Sequence, residues 1–155
     1  YTVTSDKPFG VVAFNVWEKD LDKLVKSPLA MIGTDSGFVD NIGVPNRHPR
    51  AYGSYPKILG EYVREKKLIS WEEAVMKFST RPHSKLGIKD RGVIRPGFFA
   101  DLVFFNPDTV GTKVDYSGVA RYPIGIEHVV INGQLVVENS IHTGKKSGKL
   151  IRKLG

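Results

Sequence analysis

The chain has 155 residues, of which 41% are hydrophobic and 25% charged, as is typical of a globular protein that can form one domain with a core. No apolar run approaches ~18 residues, so a transmembrane helix is excluded and we expect no membrane partner. The absence of cysteine excludes disulfides and thiolate ligands, and it is compatible with the cytoplasmic localisation that we expect. Since the sequence begins with Tyr1, we also expect it to start within a longer protein.

The net charge of +7 is concentrated at the end of the chain. Residues 144–155 contain five Lys and Arg and no Asp or Glu, whereas the preceding residues are nearly balanced. A basic tail in solvent is the simpler interpretation, and contact with a nucleic acid or an acidic surface is the alternative. Because the sequence has neither an RNA-binding aromatic motif nor zinc-finger spacing, we do not expect nucleic acid to be a partner.

A strand, a helix and a second strand are predicted at the beginning of the chain. Residues 10–17 are rich in β-branched and aromatic residues, and residues 18–26 place their apolar side chains on one helical face. Ser27-Pro28 ends the helix, because the residue before a proline disfavours the helical region. Four apolar residues and a glycine at 29–33 indicate a short buried strand. This order favours a β-α-β unit with a parallel sheet.

Asp35 follows the predicted strand at 29–33 by two residues. A carboxylate at the end of a buried strand is where α/β barrels place catalytic groups. If it were desolvated there, it would need a metal, a cation or a proton as a partner. The alternative is a structural aspartate that accepts backbone N–H bonds in a tight turn.

A long polar connection, residues 36–54, leaves from the same strand end. Loops of this length inside a compact domain are usually functional or mobile. Its polar side chains could orient an anionic or polar ligand, although a histidine in a loop is more often structural than catalytic. These side chains are Asp40, Asn46, Arg47, His48 and Arg50.

Three helices are predicted next. Residues 56–66 begin with Pro56 in the first turn and carry Gly60, which could permit close packing. Residues 71–80 follow a capping box in which Ser70 and Glu73 bond each other's backbone. A short helix from His83 to Leu86 is closed by Gly87, and we expect His83 to be exposed.

Short β segments dominate after residue 88, which we take as a domain boundary. Residues 102–105 form an apolar run, and two further runs at 128–131 and 134–137 flank Asn132-Gly133. Asn-Gly fills both positive-φ positions of a type I′ turn, so these runs predict a β-hairpin. Asp101 and Glu127 adjoin these strands, and we interpret both as carboxylates at turns or ladder ends.

Several motifs in this order resemble those of a known enzyme superfamily. The segment 92–103, Gly-x-Ile-x-Pro-Gly-x-x-Ala-Asp-Leu-Val, and the hairpin 130–136 are similar to the segments that follow the barrel in amidohydrolases. More specific motifs resemble the C-terminal third of N-acyl-D-amino-acid deacylases (D-aminoacylases). These are 31–37, 48–53, 121–128 and 142–144, together with the Ser-x-x-Glu-Ala start of the helix at 71–80.

This resemblance implies a fold of class α/β plus β. Residues 1–87 would supply the last strands and helices of a metal-dependent (β/α)8 barrel. Residues 88–143 would form part of a small β-sandwich, and residues 144–155 would be a basic C-terminal tail.

The resemblance also implies a chemistry, the hydrolysis of the amide bond of N-acyl-D-amino acids with zinc or another divalent metal. Asp35 would occupy the end of barrel strand eight, contact the metal or its hydroxide, and move the proton from the attacking water to the leaving amine. His48 and Arg50 are candidates for substrate binding. Arg50 could pair with the substrate carboxylate through two parallel hydrogen bonds.

One departure from the family pattern is large. The sequence has four histidines, and no His-x-His pair is among them. A typical barrel needs about 250 residues, so we expect this chain to be a fragment that binds no metal and is inactive alone. Its partner would be the remainder of the enzyme or a second copy. The alternatives are another amidohydrolase, either a dihydroorotase- or hydantoinase-like enzyme or a deaminase, and a non-catalytic assembly module.

Overall fold

The structure is a computed structural model that describes residues 16–36, 48–114 and 121–152. Its described part has helices in the first half and, in the second, one antiparallel sheet of four strands that are neighbours in chain order. The helical elements are α1 (Glu18–Lys26), α2 (Arg50–Lys57), the π-helix π1 (Ile58–Glu65), α3 (Trp71–Val75), the π-helix π2 (Met76–Thr80) and α4 (Arg81–Leu86). The strands are β1 (Leu102–Phe105), β2 (Ile126–Ile131), β3 (Gln134–Glu138) and β4 (Ile141–His142). Within these ranges no helix combines the length and apolar character that crossing a membrane requires.

Helix α1 confirms the prediction for residues 18–26. Its face is anchored by Val25, which is buried against Ile58 and Tyr62, with Leu21 packed beside them. Ser27 has an extended backbone, as expected for a residue before proline, and ends the helix.

The buried strand predicted at 29–33 is wrong. The backbone at 29–36 forms no strand, and Leu29 and Met31 are 90% and 43% exposed. A main-chain hydrogen bond ties this segment to a neighbouring helix: the Ile32 N–H donates to the carbonyl oxygen of Lys77 at 3.3 Å. A strand needs a neighbouring strand with which to exchange hydrogen bonds, and none of the four described strands pairs with this segment.

The strand predicted at 10–17 falls mostly outside the described residues, which begin at Val16. Val16 and Trp17 are exposed and do not belong to a strand. The predicted β-α-β unit is therefore not formed by the described residues, and the sheet that they do form is antiparallel.

The helix predicted at 56–66 is present but begins earlier, at Arg50. Pro56 lies inside α2 and not in its first turn, and the wider π1 follows directly. The start of the helix was predicted too late because Pro56 lies just before its first apolar residues. Proline is common in the first turn of a helix, so this position was taken as the start. The apolar side chains on one face of this helix are buried. They are Ile58, Leu59, Tyr62 and Val63.

The helix predicted at 71–80 is confirmed, and half of its predicted capping box is formed. The Ser70 hydroxyl accepts a hydrogen bond from the Glu73 N–H at 3.2 Å, whereas the Glu73 carboxylate bonds Arg81. The helix continues without a break through π2 into α4, so the predicted short helix at 83–86 is the end of a longer one. Gly87, with φ of +74°, closes it as expected. His83 is half-buried rather than exposed, because its Nδ1 lies 2.8 Å from the carbonyl oxygen of Ser79.

Two buried clusters hold the helices together and join them to the β segment. The first consists of Leu59, Val63, Ala74 and Val110, and the second of Val25, Ile58 and Tyr62. Ile69 and Phe78 pack against both clusters, so the helices share a continuous core. Burial raises the pKa of the Tyr62 hydroxyl to about 12.

The predicted β-hairpin is confirmed. β2 and β3 are antiparallel, and Asn132 and Gly133 have φ of 50° and 76°, as a type I′ turn requires. β1 pairs with the other side of β2, with Leu102 opposite Val130.

Asp101 has the structural role expected of it. Its carboxylate accepts hydrogen bonds from the buried guanidinium of Arg91 and from the Asn132 N–H, the latter at 2.8 Å. The same Arg91 also donates to the Asn132 side chain and stacks on the Phe99 ring. Asp101 thus links the hairpin turn to the chain that enters β1. Glu127 lies exposed on β2.

Candidate active site

The candidate catalytic carboxylate and one candidate binding residue meet in the structure. Arg50 Nη1 donates a hydrogen bond to Asp35 Oδ2 at 3.0 Å. The Asp35 side chain is 93% exposed and that of Arg50 is 45% exposed. The Asp35 carboxylate is therefore not desolvated, and it pairs with a cation at the surface and not in a buried site.

The backbone at Asp35 has φ of +48°, in the left-handed region. Asp and Asn enter this region more readily than most residues, because their short polar side chains bond locally. Such conformations are concentrated at active sites and ligand clamps. Asp35 is thus set apart from its neighbours by its backbone as well as by its ion pair.

His48 lies at the beginning of α2, beside Arg50. Its Nδ1 accepts a hydrogen bond from the Arg50 N–H at 3.2 Å, which satisfies one of the unpaired amides at a helix start. The ring is half-buried. This contact supports the structural interpretation of His48.

The segment that carries Asp35 is held by two helical elements. The Tyr55 hydroxyl of α2 donates to the carbonyl oxygen of Ile32 at 3.4 Å, and the Ile32 N–H donates to the carbonyl of Lys77 in π2. The Ile32 side chain packs against the cluster of Val25, Ile58 and Tyr62. The chain leading to Asp35 is therefore tied to the core three residues before the carboxylate.

Other polar candidates of the connection lie outside the described residues. These are Asp40, Asn46 and Arg47. The structure brings Asp35 and Arg50 together, sets His48 next to Arg50, and leaves the contribution of the other three as a prediction.

The described residues do not make a metal site of their own. Among residues 16–36, 48–114 and 121–152, no three His, Asp or Glu side chains lie close enough to hold an ion together. The partner of Asp35 within this part of the chain is a guanidinium, which repels a cation. Because protein zinc sites use at least three side-chain ligands, no reaction step through a metal can be built from these residues.

Two residues of this site escaped the sequence reasoning, Tyr55 and Lys77. Lys77 has no exposed area, although lysine is almost never fully buried unless it is paired. The signal was its spacing, since it follows the buried Ala74 by three residues and precedes Phe78 on the apolar face of the helix.

Glu73 links the charges of this helix. Its two carboxylate oxygens accept from Arg81 at 2.9 and 3.1 Å, and Oε1 lies 3.3 Å from Lys77 Nζ. The hydrogen bonds from Arg81, and then those from Lys77, hold the pKa of the Glu73 carboxyl below its ordinary value of 4.5. A lowered pKa in the folded state means that ionised Glu73 stabilises the fold.

We expect the stabilisation by Glu73 to depend on pH. It is fully present above the ordinary pKa of 4.5 and is lost as the pH falls through the lower folded pKa. Urea unfolding of wild type and Glu73→Gln should therefore show a larger difference in the free energy of unfolding at pH 7 than at acid pH. A difference that stays constant between these pH values would contradict this ion-pair contribution.

Comparison with known proteins defines the class. Residues 15–137 match the sequence profile of the amidohydrolase family, and because they make up well over half of the chain, the chain belongs to this family. The superfamily resemblance of the sequence motifs is thereby confirmed.

Particular relatives are deacylases of N-acyl-D-amino acids. The chain is 33% identical over 149 residues to an N-acyl-D-glutamate deacylase of Alcaligenes xylosoxydans xylosoxydans, covering 94% of this chain and 29% of the relative. A solved structure of D-aminoacylase, described as having a binuclear metal centre, is 33% identical with a TM-score of 0.79, covering 88% of this chain and 28% of that one.

A second solved structure carries a bound metal. It is N-acyl-D-glutamate deacylase from Bordetella bronchiseptica, complexed with zinc and a phosphonate inhibitor that mimics the tetrahedral intermediate. It is 35% identical with a TM-score of 0.69, covering 77% of this chain and 24% of that chain. The present chain thus spans less than a third of the length of these relatives.

Proposed function

We propose that this chain is the part of a metal-dependent N-acyl-D-amino-acid deacylase that carries the catalytic aspartate and the segments after it. The complete protein would hydrolyse the amide bond to a carboxylate and a D-amino acid. The observation that carries the proposal is the meeting of Asp35 and Arg50, 15 positions apart, on a chain whose fold and sequence match D-aminoacylase at 33% identity.

The same proposal gives each part of the chain a place. Residues 1–87 would belong to the end of a (β/α)8 barrel, residues 88–143 to a small β-sandwich, and residues 144–155 to a basic tail. The antiparallel sheet β1–β4 supports the second assignment. The outer sides of its edge strands, β1 and β4, are unpaired in the described part of the chain, which leaves room for strands supplied from elsewhere.

Asp35 would act as the proton carrier of the hydrolysis. Its exposed carboxylate accepts a proton from the attacking water as the C–O bond forms, and it passes this proton to the amide nitrogen as the C–N bond breaks. The products are the free acyl carboxylate and the amine of the D-amino acid. A divalent metal such as zinc would polarise the carbonyl in the complete protein. Asp35 would contact the metal or its hydroxide, and the other ligands would come from outside this chain, because no three described residues group to hold an ion.

Arg50 and His48 would contribute to substrate binding. The Arg50 guanidinium can pair with the substrate carboxylate through two parallel hydrogen bonds while staying near Asp35. His48 would hold the start of α2 and so fix the backbone of Arg50.

The test is a substrate panel with the complete zinc-loaded protein that carries this sequence. N-acetyl-D-glutamate, N-acetyl-D-aspartate, N-acetyl-D-leucine and their L-enantiomers would be incubated, and released amino acid measured. We expect hydrolysis of at least one D-substrate, at a rate about 100-fold or more above that of its enantiomer. Turnover restricted to cyclic amides, or release of ammonia from an amine, would instead identify another type of amidohydrolase. No hydrolysis at all would contradict the proposal.

A second candidate is a non-catalytic assembly module, and one observation favours it. Large apolar side chains lie exposed on the described surface, among them Trp17, Leu29 and Ile94. Exposed apolar patches are typical of interaction surfaces, for the remainder of an enzyme or for a second copy. Deacylation by the complete protein in the panel above would exclude a purely structural role.

A further inference from the structure

Lys77 lies in π2 with its side chain wholly enclosed, at 0% exposure. We propose that Lys77 is a positioning residue for Asp35: its ammonium and its main chain together hold the segment 27–32, from which Asp35 projects. The predicted consequence for turnover rests on the proposed function, whereas the positioning itself does not.

Lys77 contacts this segment at three points. Its Nζ donates hydrogen bonds to the carbonyl oxygens of Ser27 and Ala30, the latter at 3.3 Å. Its own carbonyl oxygen accepts from the Ile32 N–H at 3.3 Å. One residue therefore fixes both the turn after α1 and the first part of the chain that leads to Asp35.

These contacts act on a segment that pairs with none of the described strands. No ladder within the described residues sets the direction of its backbone, so the contacts from neighbouring helices do so there. Tyr55 and Arg50 restrain the segment from α2, at Ile32 and at Asp35. Lys77 holds the same segment from π2, so that Asp35 is placed by two helical elements.

The charge of Lys77 is compensated without solvent. Glu73 Oε1 lies 3.3 Å from Nζ, and Glu73 is itself oriented by Arg81 through two hydrogen bonds. An apolar side chain of similar length would fill this space without the desolvation cost of an ammonium. The ammonium donates hydrogen bonds to two carbonyl groups of the 27–30 turn, and an apolar side chain would leave these groups without them.

The experiment compares Lys77→Met with Lys85→Met in the complete protein. Lys85 lies on α4, in the same continuous helix, and is exposed, so it controls for the loss of a lysine. Hydrogen–deuterium exchange should be faster in peptides covering 29–36 of Lys77→Met, and unchanged in Lys85→Met. With the best D-substrate of the panel, kcat of Lys77→Met should fall about 10- to 100-fold, whereas KM should change about 2-fold or less. The reason is that the variant displaces Asp35, the proton carrier, and leaves the substrate-binding groups in place.

Different failures have different meanings. A lysine with a merely structural role would lower the melting temperature and leave kcat per folded molecule and exchange at 29–36 unchanged, and this result would overturn the proposal. If the wild type hydrolyses no substrate, the proposed function fails, and exchange alone decides the positioning role.

If Lys77→Met does not fold, Lys77→Arg takes its place: it keeps a cation beside Glu73, and its altered donor geometry should raise exchange at 29–36. Wild-type exchange in a folded Lys77→Arg would then overturn the proposal.

Discussion

Replacing Asp35 by Asn in the complete protein is expected to lower kcat for N-acyl-D-amino acids by about 10²–10⁴-fold, because an amide cannot accept the proton of the attacking water. The fold should be unaffected, since the side chain is 93% exposed and an Asn oxygen can still accept from Arg50. Steady-state kinetics, together with the melting temperature and the metal content of the purified variant, would test this. We expect both of these to match the wild type.

The matched control for this variant is Asp20→Asn. Asp20 is also an exposed aspartate in an ion pair, 3.3 Å from Lys23 on α1, and it takes no part in the candidate site. Its turnover should equal that of the wild type. Full turnover in Asp35→Asn would remove Asp35 from the catalytic machinery.

Replacing Gly60 by Ala is expected to lower the free energy of unfolding by about 1–3 kcal/mol, through overpacking. Helix propensity alone predicts the opposite sign, a gain of up to about 1 kcal/mol. The structural reason is the close approach of π1 to the connection between β1 and β2. A Cβ at Gly60 would lie 2.7 Å from the carbonyl oxygen of the buried Val110 and 3.2 Å from the Gly111 Cα.

Gly148→Ala provides the control for the same chemical change. A Cβ at Gly148 would meet nothing within 4 Å, so we expect a stability change within about 0.5 kcal/mol. Urea denaturation of the three proteins measures both effects. A stabilised Gly60→Ala variant would show that the backbone there has room to move and that propensity outweighs packing.

The elements that the sequence predicted correctly are those stabilised by near neighbours in the chain. The Ser70 cap bonds an amide three residues away, and the Asn132-Gly133 turn is decided by the two φ angles of its own residues. Helix α1 likewise follows from an apolar face within nine residues. In each case the decisive interactions span a few positions, so a local pattern is enough.

The largest error, at 29–33, lies where a distant contact decided the outcome. An apolar run at 29–33 predicts a strand, but the structure provides helices and not strands beside it, and Lys77 meets its backbone from about 50 positions away. His83 was expected at the surface, and its bond to Ser79 and its contact with Gly92 bury half of it. The sequence shows that Lys77 and His83 are polar, but it does not show which groups of the folded chain lie against them.

The candidate site likewise has features that the sequence predicts and features that depend on distant contacts. The sequence by itself determined that the chain is an amidohydrolase relative and that Asp35, His48 and Arg50 are its polar candidates, because these are short motifs of fixed order. Only the tertiary structure decided that Arg50 reaches Asp35 and that Tyr55 and Lys77 hold the backbone before it. The physical reason is that hydrogen bonds and ion pairs act over about 3 Å in space, whereas these partners are separated by 15 to 50 positions along the chain.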